Sequence, residues 1–236
     1  MQGGPVRHRG AHPSAGAGDG RVTLDVETAS GRTTEKAELC LVCTGREPVV
    51  PEGVQGSGVE VGEGGGIHVD GHMRTSVPGV YAAGDVTGSH MYAYVASREA
   101  EVAVMGIVGE ETAAMRYDLI PRVVFTDPEV ASVGKGVAGD REPGRQGVFP
   151  VSALGRARTM DESEGFARVA CAPGGEISSV SIAAPHATEL IAWATLALNQ
   201  GLTLEDFLEP ICPHPTLSEI LREAALDAAG LCIHKP

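Results

Sequence analysis

Positive charge is scarce in this chain. Its 236 residues carry 18 Lys and Arg against 31 Asp and Glu, a formal net charge of -13. That balance repels phosphate backbones and anionic membrane surfaces alike, so neither a nucleic acid nor a membrane is expected as a partner. Long apolar stretches are missing too: no uninterrupted run approaches the roughly 20 residues that cross a bilayer. The opening MQGGPVRHRGAHPSAGAGDG has basic residues but no apolar region of a secretion signal. Cysteine is sparse and odd in number, with five residues at positions 40, 43, 171, 212 and 232. This argues against a disulfide framework and fits a reducing compartment, so a cytoplasmic protein is expected. No repeat of fixed period is visible. His68, His72, His90 and His186 show no pairing that signals a metal set, and no metal is expected.

What is present is ordinary globular composition, 42% hydrophobic and 21% charged, enough to bury a sizeable core. Residues 1–20 are rich in Gly, Pro, Ala and His without periodicity and read as a disordered, frayed leader. Arg21 to Val26 alternates at period two, Gly31-Arg32 marks a turn, and Ala37 to Cys43 reads as a second strand. After a long Gly- and Pro-rich loop come short strands at Ile67 to Val69 and Val80 to Ala83, then a helix from Met91 to Val108. Beyond Tyr117, strands are predicted at 122–125, 129–133, 147–149, 166–171 and 177–182. Helices follow at 188–200 and 216–229, closed by Gly201 and Gly230. The fold class this predicts for the last region is α+β, a sheet backed by helices.

In the closing helix, Leu217, Ile220, Leu221, Ala224, Ala225 and Ala228 form one apolar stripe at helical spacing. Glu219 lies off that stripe. His214 sits between Pro213 and Pro215, a restricted backbone where a nearby carboxylate could orient the imidazole for acid–base work. Thr216 and Glu219 also satisfy a Thr-x-x-Glu capping box, which by itself explains both residue types and leaves His214 a solvated loop residue.

Four stretches in order carry a family resemblance. Ile211-Cys-Pro-His-Pro-Thr-Leu-Ser-Glu219, with Gly230-Leu-Cys-Ile-His234 after it, resembles the C-terminal end of dihydrolipoyl dehydrogenases. Thr44-Gly-Arg-Glu-Pro48 is similar to the segment leaving that family's NAD-binding domain, and Thr75 to Asp85 is similar to its second flavin signature. Ile120 to Gly134 is similar to the start of its dimerisation domain. The resemblance implies residues 21–50 as the end of an NAD-binding domain, 51–117 as the C-terminal part of an FAD-binding domain, and 118–236 as a dimerisation domain. The fold would be a remnant of the FAD/NAD-binding α/β fold followed by an antiparallel sheet backed by helices.

The same resemblance implies the chemistry. His214 would be an acid–base residue held by Glu219, acting on the redox centre of the other subunit of a homodimer formed through residues 118–236. Gly45 would lie beside NAD. Gly84, Asp85, Met91, Tyr92, Ala93 and Tyr94 would lie at FAD, with Gly84 permitting close approach and the Asp85 carboxylate accepting from ribityl hydroxyls. The substrate would be a lipoyl-type dithiol or small disulfide. Where family members have Leu and His, this chain has Tyr92 and Tyr94. Where they have a charged helix, Gly134 to Gly147 is too rich in Gly and Pro.

Full-length members also carry a Cys-x-x-x-x-Cys pair and two Gly-x-Gly-x-x-Gly folds, which the sequence lacks. The chain is therefore expected to be a partial, singly inactive one. The alternatives are a glutathione- or mercuric-reductase-like protein, or a dimerisation module without catalysis. Two decoys are set aside: Gly134 to Gly139 reads as a loop rather than a dinucleotide motif, and Cys40-Leu-Val-Cys43 as buried strand cysteines facing opposite sides.

Overall fold

The computed structural model describes residues 15–18, 20–28, 31–110, 112–135 and 144–235. The chain divides into two compact units, residues 1–47 and 48–236. In the first unit, β1 (Ala15–Gly18), β2 (Arg21–Thr28) and β3 (Gly31–Ala37) form an antiparallel sheet in that order. The Asp25 carboxylate on β2 ties it to β3, accepting from Arg32 at 3.0 Å and from the Thr34 hydroxyl at 2.7 Å. β1 falls inside the expected leader, so the frayed segment does not extend through residue 20; residues 1–14 lie outside the described residues.

The second expected strand is corrected. Regular structure ends at Ala37, and Leu39, Leu41 and Val42 are 80%, 81% and 74% exposed. Cys40 and Cys43 are exposed as well, not buried in a strand. A strand this apolar is stable only when both edges and faces are covered, and among the described residues no neighbouring strand pairs with it.

In the second unit the expected strands at 67–69 and 80–83 reduce to the isolated bridges Val61 with Ile67 and Arg74 with Tyr81. The chain then enters α1 (Ala93–Ile107), which begins two residues after Met91. Met73, Val102 and Ala103 form a small core beneath it.

The larger core belongs to a five-stranded sheet of β4 (Arg122–Val124), β5 (Glu129–Gly134), β6 (Gln146–Pro150), β7 (Phe166–Cys171) and β8 (Ile177–Ala184). Its order is β4-β5-β8-β7-β6 and every neighbouring pair is antiparallel. Besides the short α2 (Gly155–Met160), this region holds α3 (Ala187–Gln200), α4 (Leu204–Leu208) and α5 (Glu219–Ala228). α3 packs on β5 and β8, and α5 on β6 and β7. Phe149, Val169, Ile182, Leu204, Phe207 and Leu221 are buried between them, which is the α+β arrangement expected.

The approach of α5 to the sheet depends on Gly147. A Cβ there would collide with the backbone of Ala224 and Ala228, so only glycine lets the helix lie directly on β6. Gly201 closes α3 in the left-handed conformation, as its position predicts. α2 and α4 were not legible as helices; α4 owes its start to a full capping box between Thr203 and Asp206. The predicted loop between Gly134 and Gly147 falls largely on residues 136–143, outside those described.

Candidate active site

At the start of α5 one carboxylate does two things. Glu219 Oε2 accepts the Thr216 N–H at 2.8 Å, and Oε1 lies 3.0 Å from His214 Nδ1. The capping box is thus only half made, because the Thr216 hydroxyl donates to Pro213 O at 2.8 Å rather than returning to the helix. The helix correspondingly begins at Glu219, not Thr216. A carboxylate in the first turn is also favoured by the helix dipole.

The pair has a defined polarity. An ionised carboxylate only accepts, so the contact places the imidazole proton on Nδ1 and leaves the Nε2 lone pair for an outside partner. The His214 side chain is 74% exposed and that of Glu219 21%, so the base faces outward while its orienter is held against the helix. The group can take a proton from, or return one to, a molecule arriving from solvent or from another subunit.

The second cluster is the turn and helix start from Gly84 to Tyr94. Gly84 is buried with φ 83° and ψ -158°, a conformation open essentially to glycine alone, and a Cβ there would sit 3.2 Å from Ala96. Asp85 follows it into solvent as the first residue of a short 3-10 turn. Met91 and Tyr92 are half-buried, and Ala93 and Tyr94 are exposed at the first turn of α1. No side chain caps that helix start, whose first amides have no acceptor within the helix. Tyr92 and Tyr94 stack at 5.3 Å, and the Tyr94 hydroxyl donates to Pro121 O at 2.7 Å. Gly45 lies in the other unit, exposed in an irregular segment with φ 124°.

Two carboxylates escaped the sequence reading. Glu223, one turn after Glu219, accepts from the Cys232 thiol at 3.4 Å and lies 3.0 Å from His234 Nδ1, clamping the C-terminal extension onto α5. Its only sequence signal is the i, i+4 spacing from Glu219. Glu99 is 0% exposed in α1 and contacts Gly84 and Tyr117. Its signal was a charged residue on a buried helix face, between Val95 and Val102. Among the described residues no group of His, Cys, Asp and Glu is placed to hold a metal. No helix among them is long and apolar enough to cross a membrane.

Comparison with known proteins gives the family. The model of the pyridine nucleotide-disulphide oxidoreductase dimerisation domain matches residues 120–225, and that of the pyridine nucleotide-disulphide oxidoreductases matches residues 7–100. The chain belongs to the pyridine nucleotide-disulphide oxidoreductase family. It is 42% identical over 207 residues to dihydrolipoyl dehydrogenase 2 of Haloarcula marismortui, covering 86% of this chain and 44% of that one. It is 38% identical over 218 residues to the dihydrolipoyl dehydrogenase of Bacillus subtilis, covering 90% and 46%. Among solved structures, LpdA from Mycobacterium tuberculosis superposes with a TM-score of 0.84 at 28% identity, over 91% of this chain and 47% of that one. The flavoprotein disulfide reductase RclA from Escherichia coli, 24% identical with a TM-score of 0.80 over 91% of this chain and 50% of that one, shares the fold. The chain spans about half the length of the relatives it matches.

Proposed function

We propose that this chain supplies the acid–base pair and the dimer interface of an FAD-dependent, dihydrolipoyl dehydrogenase-like enzyme that oxidises a dithiol and reduces NAD. The observation that carries the reading is the double role of Glu219, which anchors itself on the Thr216 amide and so presents a fixed oxygen to His214 Nδ1. His214 Nε2 then accepts a proton from the dithiol and returns it, while Glu219 stabilises the imidazolium. Bound FAD supplies the redox relay between dithiol and NAD. The residues at the Gly84 turn suit that cofactor. A glycine lets the turn pack closely on Ala96, an exposed Asp85 carboxylate can accept hydroxyl protons, and no side chain caps the amides of Ala93 and Tyr94 beside Met91 and Tyr92. Gly45 is assigned to the NAD side. The enzyme is a cytoplasmic homodimer joined through residues 118–236.

One observation favours a second reading. The cysteines at 40, 43, 171, 212 and 232 contain no pair spaced for a Cys-x-x-x-x-Cys redox centre. The disulfide must come from outside these residues, and a dimerisation module without catalysis would look the same. The tail from Gly230 to Pro236 has one cysteine, not the pair a mercuric-reductase-like end would carry.

Co-expression tests both readings. The chain is combined with a full-length dihydrolipoyl dehydrogenase whose own motif histidine is replaced, and NAD-dependent dihydrolipoamide oxidation is measured on the purified hybrid. Recovered activity that His214→Gln lowers by about 100-fold is the expected result. A hybrid that forms without recovery leaves the dimerisation module, and absence of any hybrid or self-association removes both.

A further inference from the structure

We propose that Glu99 is the positioning residue that sets the Gly84 to Tyr92 loop in the geometry a flavin would meet. The proposal rests on the reading of Gly84, Asp85, Met91 and Tyr92 as flavin contacts, and concerns a residue that touches none of the cofactor itself.

Glu99 occupies a place where packing alone calls for an apolar side chain. It lies four residues after Val95 and three before Val102, on the buried face of α1, and is 0% exposed beside the Met73, Val102 and Ala103 cluster. A carboxylate is costly in such surroundings unless each oxygen is satisfied. Both are: Oε2 accepts the Gly84 N–H at 2.6 Å and Oε1 accepts the Tyr117 hydroxyl at 2.7 Å. These are short, charge-assisted bonds.

Each bond fixes one end of the loop. At the first end, Gly84 holds φ 83° and ψ -158°, a sparsely populated backbone state that persists only where the surroundings over-determine it. Its carbonyl accepts from the Thr87 N–H and the Thr87 hydroxyl, both at 2.9 Å, and its N–H is taken by Glu99. Without that acceptor the buried amide would be left unpaired and the turn free to relax. At the other end, the Tyr117 ring stacks on His90 with centroids 4.8 Å apart and planes 10° from parallel. His90 Nδ1 in turn lies 3.0 Å from the Ser89 hydroxyl. Burial and the Glu99 carboxylate push the Tyr117 phenol far above its ordinary value, so it remains a donor. One buried carboxylate therefore sets residue 84 directly and residues 89 and 90 through an aromatic ring. Between and just beyond these ends lie Asp85, Met91 and Tyr92. Because Tyr117 stands at the entry to β4, the same carboxylate ties the flavin turn to the region expected to dimerise.

The test measures the loop and the cofactor separately. Amide hydrogen exchange of the 84–92 segment and an FAD titration by flavin fluorescence are run on the full chain and on three variants. Glu99→Leu is expected to speed exchange in that segment by about tenfold and weaken FAD by about tenfold, with α3 exchange unchanged. Glu99→Gln keeps an acceptor for Gly84 and gains a donor for the Tyr117 oxygen, and is expected to stay within about threefold of wild type. A folded Glu99→Leu protein with unchanged exchange and affinity overturns the role of Glu99. Should that variant not fold, Tyr117→Phe keeps the ring and removes one bond; exchange in the segment that fails to rise overturns the role equally. A wild-type protein that retains no FAD, while Glu99→Leu still loosens the loop, instead overturns the flavin reading and with it the purpose assigned to the loop.

Discussion

Glu219 shows how a single carboxylate can belong to two motifs at once. Its two oxygens point to different partners, one to the Thr216 amide and one to His214. The sequence pattern offered a cap or an orienter as competing explanations, because spacing reports residue types and not which oxygen they meet. Separating the two roles is a matter of choosing the variant. Glu219→Gln retains an acceptor for Thr216 and removes the charge behind His214. In the hybrid assay it is expected to lower kcat by about 100-fold with a melting temperature within about 2 °C of wild type. Glu219→Ala removes both contacts and is expected to cost about 1 kcal/mol of stability in addition, read by thermal unfolding.

At the scale of elements, the placement of α5 governs where the His214 pair stands. The helix rests on β6 at Gly147, and the Asp227 carboxylate accepts the Val148 N–H at 2.8 Å and the Lys235 ammonium at 2.8 Å. One strand residue without a side chain and one helix carboxylate thus fix the helix against the sheet from two sides. Gly147→Ala places a methyl group against helix backbone that has no rotamer with which to yield. It is expected to destabilise the protein by about 3 kcal/mol, lowering the melting temperature by roughly 5–10 °C. A melting temperature within 1 °C or so of wild type would show that α5 can lift without loss.

For the whole molecule, acid is the informative stress. Burial alone would raise the Asp227 carboxyl, but Lys235 and the Val148 N–H outweigh it and hold it below the ordinary aspartate value. The Thr188 backbone N–H and hydroxyl hold Glu129 below the ordinary glutamate value. A carboxyl whose folded pKa is depressed contributes stability that is complete above its unfolded value, near pH 4, and is lost as pH falls through the folded one. Melting temperature is therefore expected to fall steadily below about pH 4. Asp227→Asn lowers the neutral-pH plateau and flattens that acid limb; a limb as steep as wild type places the titrating group elsewhere. Large apolar side chains also stand in solvent on this region, with Phe125 79%, Ile211 97% and Ile233 83% exposed. If the homodimer proposed above uses this surface, Ile211→Asp is expected to shift sedimentation from dimer toward monomer.

The sequence by itself determined the family, through four motifs in order, and the elements whose burial is periodic: β5, β7, β8, α3 and most of α5. Periodicity records which side chains turn toward a core, and that survives whatever the neighbours are. Tertiary structure alone decided the rest. Ala37 to Cys43 reads as a buried strand, yet Leu39, Leu41 and Cys43 stand exposed, because a strand's burial depends on partners that its own residues do not encode. Glu99 reads as an ordinary helical charge, yet it lies buried between Gly84 and Tyr117, 15 residues before it and 18 after it in the chain. A hydrogen bond of a few ångströms between residues that far apart in sequence is set by the folded path of the chain, and no local pattern contains it.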